Sequence, residues 1–230
     1  NGYEPSVDVW LRWLKTLYHE HEPLAVTLGT VPHGRELAAV ITFDVDYVAS
    51  MDNLLAYRDL LVREGVQATF FLQTKYYRDF QDEGFFNDRT LAAVDALVDA
   101  GMEIASHSVS HSDMYASVPL GDGSERFPAY QPRVKARGDT RGATVLGELR
   151  VSRFLLEQLG GVSVASFRPG YLATPLRLPE AMEAAGYRYS SSATAGNLTT
   201  HLPFRSNAQR SYSRETTVFE FPIAIEDEFP

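Results

Sequence analysis

The chain has 230 residues, of which 44% are hydrophobic and 22% charged; this is enough for one large α/β domain and excludes wholesale disorder. Its formal net charge of -9 makes phosphate backbones an unfavourable partner, so we do not expect nucleic acid binding. The absence of cysteine excludes disulfides, thiolate metal sites and cysteine nucleophiles. No apolar run approaches the ~18 residues that a transmembrane helix needs, and no signal peptide is visible.

The first predicted element is an amphipathic helix over residues 6–18, with Ser6 as its N-cap. Its apolar side chains recur at helical spacing and predict one buried face: Val7, Trp10, Leu11, Leu14, Leu17 and Tyr18. We therefore expect residues 1–37 to form an N-terminal helix and extension that packs on a domain of residues 38–230.

From residue 38 onward, predicted strands alternate with predicted helices. The strands fall at about 39–43, 66–72, 103–107, 162–167, 187–191 and 218–224, and the helices at about 52–64, 88–100, 140–159 and 179–186. This alternation predicts a parallel sheet with right-handed crossovers. About six strands fit a barrel of fewer than eight units, or a barrel cut short at Pro230. Two long polar stretches, 112–139 and 193–216, are typical of functional or mobile loops.

Polar side chains that can carry chemistry follow the ends of these strands. Asp44 and Asp46 end the first strand, His107 ends the third, and His111 comes four residues later. Arg168 ends the fourth strand. Because the carboxyl ends of parallel strands form one rim, we expect these five side chains to share a pocket.

This combination of residue types predicts metal-assisted chemistry. A separation of four would place His107 and His111 on one face of a helical turn, where both could bind one metal ion. Two histidines and one carboxylate leave coordination positions open, and a second carboxylate is free to act as a general base. Taken singly, each feature has a plain structural alternative: surface or capping histidines, strand-end acids capping a loop, and an arginine in a structural ion pair.

The segments Thr42–Asp46, Ser106–His111 and Phe167–Tyr171 resemble the first three motifs of the polysaccharide deacetylases, also called the NodB-homology domain or carbohydrate esterase family four. The resemblance covers about residues 38–192. Val45 separates the two aspartates, as in a minority branch of the family, whereas the commoner motif has them adjacent.

The resemblance implies a distorted (β/α)7 barrel that removes N-acetyl groups from a polysaccharide or oligosaccharide of N-acetylhexosamines. It implies one divalent metal ion, Zn²⁺ first and Co²⁺ or Ni²⁺ as alternatives, and a secreted, periplasmic or cell-envelope location. The implied site residues are the metal ligands Asp46, His107 and His111, the base Asp44, its partner Arg168, and Tyr171, whose backbone N–H would help to form the oxyanion hole. Four aromatic residues, Tyr115, Phe127, Tyr130 and Tyr171, could stack on sugars or merely pack the loops.

The sequence departs from the family pattern in its C-terminal part. The expected fourth motif is replaced by residues 190–194, and no Leu-x-His motif with a general acid precedes Pro230. His201 is the only later histidine and is the candidate acid. Residues 220–222 and Asp227 resemble the strand that closes the site in the minority branch.

Several other functions remain open at this point. The chain could hydrolyse small non-sugar amides on the same scaffold, or be a degenerate domain that binds polysaccharide or scaffolds a complex. Two other classes fit poorly: a non-haem iron oxygenase normally has His-x-Asp together, whereas here Asp comes first and the paired histidines later, and a zincin protease has Glu directly after the first histidine, where Ser108 stands. The sequence does not indicate the oligomeric state.

Overall fold

The computed structural model describes residues 5–27, 29, 31–35, 37–212 and 214–225. Within these residues the strands are β1 (Thr42–Val45), β2 (Thr69–Leu72), β3 (Glu103–Ser106), β4 (Arg133–Ala136), β5 (Asp139–Arg141), β6 (Ser166–Phe167), β7 (Tyr189–Ser190), β8 (Phe204–Asn207) and β9 (Glu215–Glu220). The helices are α1 (Ser6–His21), α2 (Val48–Glu64), α3 (Asp88–Asp99), α4 (Val145–Gln158), α5 (Leu178–Ala185) and α6 (Ala195–Leu198).

Seven strands form one sheet in the order β1-β2-β3-β6-β7-β9-β8. All neighbours in it are parallel except β8, which runs antiparallel to β9 at one edge. The predicted α/β class with a mostly parallel sheet is confirmed. The order of the strands is that of a barrel. In the described part of the chain, however, no hydrogen-bonded ladder joins β1 to β8, so the sheet is open.

The core lies between this sheet and the helices that follow its strands. All four residues of β2 are buried, as a parallel strand covered on both faces requires. Helices α3, α4 and α5 bury one face each. The best-buried apolar residues of this core include Phe70, Leu72, Leu97, Ile104, Leu149, Leu155, Phe167 and Met182. None of the helices in the described ranges is long and apolar enough to cross a membrane.

Glycine ends two of the helices where the sequence predicts it. Gly65 (φ 66°) caps α2 and Gly186 (φ 83°) caps α5, both in the left-handed conformation that glycine adopts without strain. Asn87 and Thr144 cap the N-termini of α3 and α4 through their side-chain oxygens.

Some predicted boundaries are wrong. Helix α4 begins at Val145 and not near residue 140, because residues 139–141 form β5 and pair with β4 in a hairpin. The segments predicted as loops therefore contain this hairpin, and further along α6 and β8. Ser6 is not an N-cap: it is the first residue of α1, and the preceding Pro5 makes no side-chain cap hydrogen bond.

The predicted buried face of α1 is also wrong. No residue of α1 is buried, and Trp10, Trp13 and Leu14 are each more than half exposed. The helix contacts the loop after α6, where Val7 N donates to Thr199 O at 3.1 Å. Its apolar spacing is real, but no described element covers the apolar face. The division into residues 1–37 and 38–230 stays a prediction.

Candidate metal centre

The carboxyl ends of β1, β3 and β6 bring five of the predicted side chains to one rim of the sheet. Asp44 lies within β1, and Asp46 follows its last residue. His107 directly follows β3, His111 comes four residues later, and Arg168 directly follows β6. The β1-β2-β3-β6 order makes these strand ends near neighbours.

Asp46, His107 and His111 form a compact cluster. Asp46 Oδ1 lies 3.0 Å from His107 Nε2 and 3.3 Å from His111 Nε2, and one ligand atom from each residue lies within 4.8 Å of the others. Both imidazoles are buried, whereas the Asp46 side chain is 29% exposed. Two imidazoles and one carboxylate are a donor set that suits zinc and related divalent ions.

The state of the cluster's polar atoms fits a cation. Asp46 Oδ1 is buried and has no hydrogen bond of acceptable geometry from any described residue, although both Nε2 atoms are close. Burial alone would raise the pKa of Asp46, but the two imidazoles outweigh it and hold the pKa well below its usual range. An ionised, unpartnered oxygen between two ring nitrogens is the arrangement that a metal ion would satisfy.

Backbone contacts set the orientation of His107. Its Nδ1 lies 2.8 Å from Arg168 O, so Nδ1–H donates to this carbonyl and Nε2 faces Asp46. Burial lowers the pKa of His107, but the charges of Asp44 and Asp46 outweigh burial and raise it. For His111, burial and the charge of His107 prevail and lower the pKa.

The segment between the two histidines is not a helical turn, so that part of the prediction is wrong. Ser108 (φ 69°) and His111 (φ 51°) both adopt left-handed backbone, and the chain forms an irregular bend. Glu148 holds this bend: its Oε2 accepts from Val109 N at 2.7 Å and from Ser110 N at 2.9 Å. Its Oε1 accepts from Ser110 Oγ at 2.8 Å.

Sequence reasoning assigned no role to Glu148. The residue is fully buried on α4, and burial raises the pKa of its carboxyl despite the hydrogen bonds that it accepts. A charged residue within a helix predicted to pack on the sheet was the available signal, because such residues are rarely fully buried without partners.

Gly170 and Gln81 fix the position of His111. A Cβ on Gly170 would lie 2.5 Å from His111 Cδ2, so only glycine allows this approach. Gln81 Nε2 donates to His111 O at 3.0 Å and to Tyr171 Oη at 3.1 Å. Gln81 is a second site residue that sequence reasoning missed, since nothing in its local sequence distinguishes it.

Arg168 contacts Asp44 as predicted. Its Nη1 donates to Asp44 Oδ1 at 2.7 Å, while Asp44 Oδ2 lies 4.0 Å from His107 Nε2. Arg168 is buried, and its guanidinium lies 4.3 Å from the centre of the Phe71 ring. Asp44 itself is 33% exposed. A carboxylate thus stands beside the cluster, held by a buried cation and open to solvent on one side.

Tyr171 lies against the cluster in a strained conformation. It adopts φ 55° and ψ 16°, and its ring centre is 4.8 Å from that of His111. The side chain is about half exposed, and Oη lies 3.3 Å from Tyr47 Oη. Among the described residues, the backbone N–H of Tyr171 has no acceptor outside its own short helical turn at residues 170–172.

Other predicted residues lie elsewhere. His201 is exposed, and its backbone N–H donates to Asp8 Oδ2 at 2.7 Å. Within the described ranges, no contact joins it to the other six predicted site residues. Its role as the acid stays a prediction. Tyr115 and Tyr130 are buried, so they pack the protein and cannot stack on a sugar. Asp227 lies outside the described residues.

A family model described as polysaccharide deacetylase matches residues 33–190, which is more than half of the chain. The chain therefore belongs to the polysaccharide deacetylase family. The match includes the cluster, Asp44, Arg168 and Tyr171, but not His201. A search of curated proteins finds no match.

Three solved structures are similar to this chain. A candidate polysaccharide deacetylase from Mycobacterium smegmatis is 18% identical over 87% of this chain and 63% of that chain, with a TM-score of 0.58, which shows a shared fold. The Xyl-CE4 domain of a multidomain xylanase from the hindgut metagenome of Trinervitermes trinervoides is 24% identical over 67% and 57%, with a TM-score of 0.44. A family 4 carbohydrate esterase from Streptomyces lividans, in complex with acetate, is 22% identical over 66% and 60%, with a TM-score of 0.43. The chain thus spans less than two thirds of each of these structures.

Proposed function

We propose that this chain is a metal-dependent hydrolase that removes N-acetyl groups from a polysaccharide of N-acetylhexosamines. The observation that carries the proposal is one rim holding both a two-histidine, one-carboxylate cluster and a separate carboxylate fixed by a buried arginine. Membership of the polysaccharide deacetylase family supports the reaction type. Work on an extracellular or envelope polymer would place the protein outside the cytoplasm.

Asp46, His107 and His111 would hold one divalent ion, Zn²⁺ first and Co²⁺ or Ni²⁺ as alternatives. When bound, such an ion polarises the amide carbonyl and lowers the pKa of a water molecule. The buried, unpartnered Asp46 Oδ1 supports this assignment, because a buried oxygen without a partner is costly to the fold.

The remaining residues divide the chemistry between them. Asp44 accepts a proton from water as the water oxygen attacks the acetyl carbon, and Arg168 orients the Asp44 carboxylate for this transfer. The carbonyl oxygen becomes an oxyanion, to which Tyr171 N–H donates. The C–N bond then breaks, the amine nitrogen takes up the proton that Asp44 accepted from water, and acetate and the free amino sugar leave.

Surface features near the cluster suit a sugar. The half-exposed Tyr171 ring and the neighbouring Tyr47 stand at the rim, where aromatic faces can stack on sugar rings. An acidic protein also does not repel the cationic amine product.

Acetate release from acetylated chitooligomers of several lengths, measured beside small cyclic and linear amides, tests the proposal. A polymer hydrolase gains rate with chain length, because remote contacts help to orient the reacting amide. Activity on small amides that does not rise with sugar chain length would instead assign the chain to non-sugar amides. Metal binding without turnover on any substrate would indicate a degenerate binding domain.

A further inference from the structure

We propose that Glu220 is a positioning residue: it holds the turn at residues 191–193, which in turn holds Arg168 against Asp44. The inference rests on the proposed role of Asp44 as the base. Glu220 itself contacts none of Asp44, Asp46, His107 or His111 in the described structure, so any effect on the reaction passes through the turn.

The side chain of Glu220 is buried at the end of the sheet. It is the last residue of β9, is only 7% exposed, and lies opposite Ser190, the last residue of β7. Its Oε1 accepts from Ser192 N at 2.6 Å and from Ala193 N at 3.2 Å. They follow Ser191, whose N–H donates to Phe167 O at 3.1 Å, and the buried N–H of Ser192 would lack a partner without this carboxylate.

The same turn accepts two hydrogen bonds from Arg168, whose Nη2 also donates to Thr42 Oγ1 at 3.0 Å. Ser191 O accepts from Arg168 Nε at 3.1 Å, and Ser191 Oγ accepts from Nη2 at 2.8 Å. Because a guanidinium is a rigid planar fork, two bonds along one edge fix its plane. The orientation of that plane determines the position of Nη1, which donates to Asp44 Oδ1 at 2.7 Å.

Packing alone does not hold the turn. Ser190, Ser192, Ala193 and Glu220 line a cavity of about 600 Å³ that also touches α5, α6 and β8. On that side the turn is held by hydrogen bonds: Glu220 accepts from Ser192 N and Ala193 N, Thr174 Oγ1 donates to Ser192 O at 3.0 Å, and Ile223 N donates to Ala193 O at 3.0 Å. Losing the two bonds to Glu220 would let Ser192 and Ala193 relax toward the cavity and shift the Ser191 oxygens relative to Arg168, although Ser191 N would still donate to Phe167 O at 3.1 Å.

To hold the turn, Glu220 has to accept hydrogen bonds through a side-chain oxygen and does not have to donate a proton. A glutamine at position 220 can present one oxygen to both N–H groups, whereas a methionine of similar length cannot. This distinguishes positioning from proton donation, because an acid that protonates the leaving amine would be lost in both variants.

The test compares kcat, KM and Zn²⁺ affinity for Glu220→Met, Glu220→Gln and the control Glu215→Gln. Glu215 lies on the same strand, but its carboxylate is exposed and pairs with Arg205 at the surface. Glu220→Met should lose about 10–100-fold in kcat, since small misplacement of a catalytic group is costly, with KM and Zn²⁺ affinity nearly unchanged. Glu220→Gln should restore most of that kcat, and the control should match the wild type.

Two kinetic outcomes overturn the inference. Either Glu220→Met keeps the wild-type kcat, or Glu220→Gln falls as far as Glu220→Met, which would make Glu220 a proton donor. Should Glu220→Met fail to fold, Ser191→Ala removes Ser191 Oγ, one of the two acceptors of Arg168 Nη2 beside Thr42 Oγ1, and is expected to lower kcat several-fold; an unchanged kcat there also overturns the inference.

A crystal structure of Glu220→Met separates this inference from the proposed function. The expected result is a broken Arg168 Nη1–Asp44 Oδ1 contact, and an intact contact overturns the inference whatever the activity. A wild type without turnover, together with a broken contact in the variant, would refute the deacetylase proposal and leave the positioning role standing.

Discussion

Replacing Glu148 with leucine should both destabilise the protein and weaken its metal site. The substitution leaves the buried N–H groups of Val109 and Ser110 without an acceptor. Each unpaired buried donor costs about 1–3 kcal/mol, so together they should remove about 2–6 kcal/mol of the free energy of unfolding. The Ser110 and Tyr130 hydroxyls, which also bond to Glu148, can turn toward other acceptors and should add less.

Urea unfolding of the metal-free protein measures the first effect, with Glu64→Leu as the control. Glu64 is exposed at the end of α2, so its substitution should change the free energy of unfolding by about 0.5 kcal/mol or less. Zn²⁺ titration measures the second effect: because the bend carries His111, affinity should fall about 10–100-fold. The reasoning is refuted if Glu148→Leu unfolds within about 1 kcal/mol of the wild type and binds Zn²⁺ equally well.

The remaining site residues differ in what their substitution removes. Asp44→Asn should keep the fold and Zn²⁺ affinity but lose about 10²–10⁴-fold in kcat, whereas Asp46→Asn should lower Zn²⁺ affinity itself; equal affinities in the two would contradict this division. Gly170→Ala should displace His111, whose Cδ2 would be 2.5 Å from the new Cβ, and calorimetry should show weaker Zn²⁺ binding. Burial raises the pKa of Glu148, so its favourable contribution to stability exists at low pH and is lost as pH rises through the folded-state pKa. Glu148→Gln cannot titrate and should therefore gain stability relative to the wild type as pH rises from about 4 to 8 in urea melts; parallel pH profiles would contradict this.

The rim residues could be predicted because they stand at the ends of strands. Buried strands alternating with helices imply a parallel sheet, and the ends of its strands meet on one side. Asp46, His107 and Arg168 each follow a strand directly and Asp44 lies one residue before the end of β1, so their proximity followed from the pattern of the chain.

The supporting residues could not be predicted in the same way. Glu148 and Glu220 accept from backbone N–H groups 38 and 28 residues away, and the sequence around each glutamate does not indicate which N–H group it accepts from. The bend at residues 107–111 depends on left-handed backbone at two non-glycine residues. The four-residue spacing of the histidines does not indicate this and predicts a helical turn instead. The exposed face of α1 shows the opposite limit: spacing indicates an apolar face but not what covers it.

The most direct test of the central claim is acetate release from an N-acetylated oligosaccharide before and after removal of metal. We expect a strong chelator to abolish release, and stoichiometric Zn²⁺, Co²⁺ or Ni²⁺ to restore it in the wild type but not in Asp46→Asn. Release that persists at the full rate in chelated, metal-free protein would contradict a hydrolase built on Asp46, His107 and His111.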